Sequence, residues 1–184
     1  MDLIQRIKME TQCIHHQIEN NSLFTKIITK EITLPEYVNL LQILYDFISP
    51  YEYSIIKKHP NLISGREKIP LLRADLLQIG QSDQYKKNNY IPEICNKAIA
   101  FGYLYIIEGS TLGGQVLSKS LKQNNKLFTD ITINYFNSYG ADTRRKWNEF
   151  LAILLNQNFS PSQEETMIET TSIIFKKLYY LVRI

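Results

Sequence analysis

Glycine and proline are scarce in this 184-residue chain, seven and six respectively, too few for a loop-rich or disordered polypeptide. Cysteine is scarcer still. Cys13 and Cys95 make neither a disulfide framework nor a metal-binding motif, so a reduced, cytoplasmic setting is expected. Neither sign of charge dominates: 21 Lys and Arg against 18 Asp and Glu leave a net +3, which argues against a nucleic-acid partner. The longest apolar run, Ala98 to Ile107, is about half of what a bilayer-crossing helix needs, so no membrane insertion is expected. The first ten residues mix charges of both signs with no apolar segment, unlike a secretory leader. Three histidines, at 15, 16 and 59, are too few for a histidine-rich metal site, and no HExxH, Walker loop, GxSxG elbow or dinucleotide-binding glycine fingerprint occurs.

What is present is helical periodicity. With 44% apolar residues, a chain of this length forms one domain that buries roughly 70% of its unfolded surface. Ile4, Ile7, Thr11, Ile14, His15 and Ile18 share one face of a first helix, interrupted at Asn20-Asn21-Ser22. Thr33 stands three residues before Glu36, with Pro35 in the first turn, the signature of a capping box. The helix it opens carries Tyr37, Leu40, Leu41, Leu44, Phe47 and Ile48 and continues past Pro50 to Tyr51 and Ile55. His59 to Arg66 reads as a loop, Ile69 to Ile79 as a helix closed by Gly80, and the polar run after it as a second loop. Pro92 is expected to open a helix, Asp142 to cap another, and Ser160-Pro161-Ser162-Gln163 to start the last. Only Ile131 to Tyr135 allows a short strand. The expected architecture is all-α, with about seven or eight helices.

Two features can carry chemistry. His15 lies on the apolar stripe, whereas His16 shares a polar face with Gln5, Met9, Gln12 and Asn20, so His15 is expected to be the buried one. Glu19, one turn on, can fix the His15 tautomer and leave Nε2 free as a metal ligand; the alternative is a core histidine satisfied locally. The second feature is a glycine window. Gly102, Gly109, Gly113 and Gly114 fall within thirteen residues, each costing roughly 0.8–1 kcal/mol in a helix relative to alanine. Such a concentration means that something approaches the backbone too closely for a Cβ. Either another helix packs there or a flat ligand lies across the helix, and the window itself does not choose.

Two segments nevertheless resemble the heme oxygenase family, in its bacterial biliverdin-producing branch. Lys8 to Asn20 is similar to the proximal helix of that family in its spacing of Thr11, His15 and Glu19, and Tyr105 to Gln115, containing Glu108-Gly109-Ser110 and Gly113-Gly114, is similar to the distal helix. Weaker matches at Glu36-Tyr37 through Tyr51-Glu52, at Leu71 to Gly80, and at Trp147, Phe150 and Phe175 extend the likeness across the chain. The resemblance implies a single heme oxygenase-like domain over residues 1–184 that cleaves heme b oxidatively to biliverdin, CO and ferrous iron, using O2 and electrons from a ferredoxin or an NADPH-dependent reductase. It implies His15 as the iron ligand with Glu19 behind it, and Gly109, Ser110 and Gly113 as catalytic positions. It further implies heme contacts from Lys8, Gly109, Gly113, Gly114 and Phe175. Arg145, within Arg144-Arg145-Lys146, is a candidate for a heme propionate, and the cluster is also a candidate docking field for an acidic electron donor. Ser110 stands where some relatives carry an aspartate, so a heme-binding or carrier protein without turnover is the alternative. Ordered water supported by Ser110 and Gln115 would deliver protons.

Overall fold

The helix boundaries follow from local capping chemistry. Asp2 caps the first helix by accepting from the Gln5 amide, Asn21 caps the second through Leu23, and Thr33–Glu36 and Ser160–Gln163 form complete capping boxes. In the computed structural model, which describes residues 1–81, 92–124 and 130–183, these caps open α1 (Leu3–Glu19), α2 (Ser22–Thr29), α3 (Leu34–Lys58) and α8 (Pro161–Val182). Between them lie α4 (Pro60–Ile63), α5 (Ile69–Gln78), α6 (Lys97–Lys122) and α7 (Thr143–Leu155), the last preceded by a 3-10 turn at Gly140–Asp142.

The all-α expectation holds, and three boundaries differ from the sequence reading. The stretch from His59 to Arg66 contains the short helix α4. Helix α6 starts at Lys97, not Pro92, because Asn96 supplies a side-chain acceptor for the Ile99 amide at 3.0 Å. Asp142 precedes α7 but makes no cap; its carboxylate pairs with Arg145 instead. Residues 131–135 form no strand. Asp75 takes up that segment, accepting from the amides of Asn134 and Tyr135 at 2.8 Å each and from Asn134 Nδ2 at 2.7 Å. The donors that a partner strand would satisfy are thereby met by one buried carboxylate. Burial pushes that carboxyl group upward in pKa, and its backbone hydrogen bonds oppose the shift. The polar run after Gly80 falls largely outside the described residues.

Pro50 lies inside α3 without ending it, and both it and Tyr51 are buried. Helix α6 is the centre of the bundle, packing on α8, α2 and α7, while α1 packs along α8 and α3 along α5. Its first three turns are apolar on all sides and buried almost throughout from Ala98 to Glu108, as expected of a helix with neighbours all round. From Gly109 onward one face opens: Ser110, Gly113 and Val116, at three-residue spacing, are exposed.

Candidate functional site

Helix α1 carries His15 at the shoulder of its packed face rather than in the middle. Leu3, Ile7, Thr11 and Ile18 are buried against the bundle, and His15 sits about 80° round from Ile7. Its side chain is consequently 51% exposed, which corrects the expectation that it is the buried histidine of the pair. Two neighbours hold it. Nδ1 lies 3.5 Å from Glu19 Oε2, one turn on. The buried Phe175 ring of α8 meets the imidazole edge-on, with centroids 5.6 Å apart. Nδ1 is thus turned toward its carboxylate. His16 is also exposed and faces Cys13, Gln17, Asn20 and Tyr179 in a shallow groove between α1 and α8. Lys8 lies two turns before His15 on the same face and is exposed.

The glycine window divides in two. A Cβ on Gly102 would stand 3.0 Å from the Met167 carbonyl of α8, and one on Gly114 only 2.8 Å from the Phe136 carbonyl. At both glycines a neighbouring backbone carbonyl takes the place of a side chain, joined at Gly102 by the Thr170 side chain at 3.1 Å. Gly114, which the resemblance grouped with the ligand-binding glycines, therefore has its missing side chain accounted for by chain packing. A Cβ on Gly113, by contrast, would meet nothing within 4 Å, and one on Gly109 would reach only the Trp147 ring, at 3.6 Å. Trp147 is fixed edge-on to Tyr105 and stacked on Phe150, so the wall beside Gly109 is aromatic. Burial pushes the Tyr105 hydroxyl up to about 12.

Ser110 is exposed on the open face, its Oγ donating to the Ile107 carbonyl at 2.8 Å. The Tyr135 hydroxyl hydrogen-bonds to it; burial raises the pKa of that phenol, and the Ser110 contact lowers it. Gln115 turns away, donating through Nε2 to the Gly140 carbonyl at 2.6 Å. Arg145 is exposed and held between Asp142, at 3.1 Å, and Glu149, while Lys146 lies 3.8 Å from Glu149. The basic run of α7 is therefore partly neutralised within its own helix.

A buried cluster directly behind the window was not anticipated. Glu108, fully buried, accepts from Arg66 Nη1 at 2.5 Å, Lys68 Nζ at 2.9 Å and the Tyr139 hydroxyl at 2.8 Å. Lys68 Nζ also donates to the Arg66 carbonyl at 2.6 Å, and its backbone amide donates to the buried Glu52 carboxylate at 2.8 Å. Burial pulls the Lys68 ammonium downward in pKa, opposed by the Glu108 carboxylate, and pushes Glu52 upward, opposed by its hydrogen bonds from the Lys68 and Ile69 amides. The signal was available: Glu108 immediately follows the longest apolar run on a helix, and a carboxylate placed there needs hidden donors.

Comparison with known proteins places the chain in a family and a fold. Residues 78–183 match the heme oxygenase family. A heme oxygenase of Xanthomonas campestris pv. campestris (strain 8004) is 33% identical over 89 residues, 48% of this chain and 51% of that protein, so the chain spans about half the length of the curated relative it matches. Among solved structures, the heme oxygenase of Leptospira interrogans superposes with a TM-score of 0.81 at 15% identity, covering 100% of this chain and 99% of that one. Heme oxygenase-1 of the cyanobacterium Synechocystis sp. PCC6803, solved in complex with heme, gives 0.79 at 16% identity, over 99% and 91% of the two chains. The NO- and CO-bound heme oxygenase of Neisseria meningitidis gives 0.75 at 20% identity, over 100% and 91%. At these identities the superpositions show a shared fold.

Proposed function

This chain belongs to the heme oxygenase family, and on that premise we propose that it cleaves heme oxidatively to biliverdin, CO and ferrous iron, drawing electrons from a ferredoxin or an NADPH-dependent reductase. The observation that carries the reading is a half-exposed, carboxylate-backed histidine together with a helix face on which Gly113 meets no chain atom and Gly109 meets only the Trp147 ring. The residues suit a porphyrin. Space over Gly113 and the aromatic wall at Trp147 fit a flat apolar ring, and His15 offers one nitrogen ligand. Among the described residues no group of three His, Cys, Asp or Glu gathers to hold a metal, and a single nitrogen ligand such as His15 suits an iron already held in a chelating ring. No helix among the described residues is long and apolar enough to cross a membrane.

When bound, heme supplies both the iron that activates dioxygen and the meso carbon that is oxidised. His15 would present Nε2 to the iron while Glu19 accepts from Nδ1, fixing the tautomer and the ring plane. Phe175, edge-on to the imidazole, would keep water from that side and pack on the porphyrin. Gly109 and Gly113 would let the α6 backbone approach the distal face, with no side chain to crowd a small ligand. Ser110, held by Ile107 and Tyr135, would orient water for proton delivery. Lys8, exposed on the His15 face of α1, would reach a propionate more readily than Arg145, which would have to give up Asp142 and Glu149 to do so.

Aerobic incubation of the hemin-loaded protein with a reductant tests this. Loss of the Soret band with growth of bilin absorbance is expected, and His15→Ala should abolish the wild-type hemin spectrum. A Soret band that survives repeated reduction and re-oxidation would mean a heme carrier on the same scaffold. An unchanged spectrum in His15→Ala would overturn the ligand assignment.

A further inference from the structure

We propose that Glu108 is a positioning residue that locks the Gly109–Gly113 segment of α6 in register with the bundle, and the functional part of this proposal rests on the heme-degrading reading above. Gly109 and Gly113 give α6 little to hold itself with. They are poor helix formers, and neither has a side chain to pack into a neighbouring helix. One residue earlier, Glu108 is gripped from three places at once: by Arg66 and Lys68 of the segment ahead of α5, and by Tyr139 of the turn ahead of α7. Lys68 is in turn tied to α3 through Glu52, which accepts from the backbone amides of both Lys68 and Ile69. Two cations face two carboxylates, so the cluster balances in charge while joining α3, α6 and the segments before α5 and α7 at one point.

A cluster of this kind is a poor device for raw stability, because apolar residues of similar volume often do as well or better; fixing register is its best-attested use. A shift of α6 along or around its axis would break all the Glu108 contacts together and leave buried charges unpaired. The open face of the helix would then move relative to His15, which belongs to a different helix and is oriented by different partners.

Glu108→Gln keeps the shape and removes the charge. Amide hydrogen exchange in the hemin-free protein should rise at least tenfold at residues 109–113, with residues 167–175 of α8 unchanged. In the hemin-loaded, reduced and CO-treated variant, the C–O stretching band should shift or broaden relative to wild type. Tyr139→Phe, which removes one donor, should produce a smaller rise at the same amides and decides the matter if Glu108→Gln does not fold. Unchanged exchange at 109–113 in the folded variants, or an equal rise throughout α8, would overturn the proposal. The exchange measurement needs no heme, so a protein that fails to bind hemin would sink the functional reading and leave the register result standing.

Discussion

Gly102 and Gly114 differ from Gly109 and Gly113 in what lies where a side chain would be. At the first pair it is atoms of neighbouring segments, a Met167 carbonyl with the Thr170 side chain and a Phe136 carbonyl; at the second it is open space and the ring of a tryptophan. One helix thus sets the same residue in two kinds of surroundings, and the residues lie so close in sequence that composition merges them. The comparison teaches that a glycine cluster is a statement about proximity, and that only the neighbours say whether the approaching atoms belong to the chain or to a ligand.

Substitutions that add a single methyl group separate the two pairs. Gly114→Ala should have the largest effect on the hemin-free protein, about 1–3 kcal/mol lost in chemical denaturation, because a backbone carbonyl must move. Gly102→Ala should lose less, since its nearest approach is 3.0 Å rather than 2.8 Å, the roughly 1 kcal/mol gained in helix propensity being common to both positions. Gly113→Ala should leave hemin-free stability unchanged or up to about 1 kcal/mol higher, while hemin affinity and bilin formation fall. A Gly113→Ala protein with wild-type turnover would break the distinction between the pairs.

The smallest effect provides a control on another helix. Lys26 and the Thr33 cap hold the Glu36 carboxyl down at about 2, against an ordinary 4.5. A folded value below the unfolded one means that this contribution is complete above pH 4.5 and is lost as the pH falls through about 2. Glu36→Gln should flatten that part of the acid-unfolding profile, whereas the alanine variants of Gly102 and Gly114 should run parallel to wild type through it.

The helices were legible where the determinants are local. Both capping boxes, the passage of α3 through Pro50 and the end of α5 at Gly80 depend on residues a few positions apart. Orientation within the site was less legible. Periodicity put His15 on the apolar stripe, but how far the stripe is covered depends on α8, and the imidazole emerges half-exposed at its margin. The division among the glycines was hidden because Phe136 and Met167 come from other parts of the chain. The same holds for Glu108, whose donors lie 31 to 42 residues away, and for the segment at 134–135, which finds its hydrogen bonds on Asp75 rather than on a strand.

The seam between α1 and α8 sets a schedule for biogenesis. Arg6 pairs with Glu164 across 158 residues of sequence, and Asn21 donates to the Val182 carbonyl across 161. Helix α1 therefore has no permanent seat until α8 has been synthesised, roughly 8–30 seconds later at ordinary translation rates of roughly 5–20 residues per second. Throughout that interval the apolar side of α1, with Leu3, Ile7 and Ile18, waits uncovered, and His15 waits for Phe175. A nascent chain stalled before α8 would expose that surface to chaperones and would lack the Phe175 ring that meets the His15 imidazole.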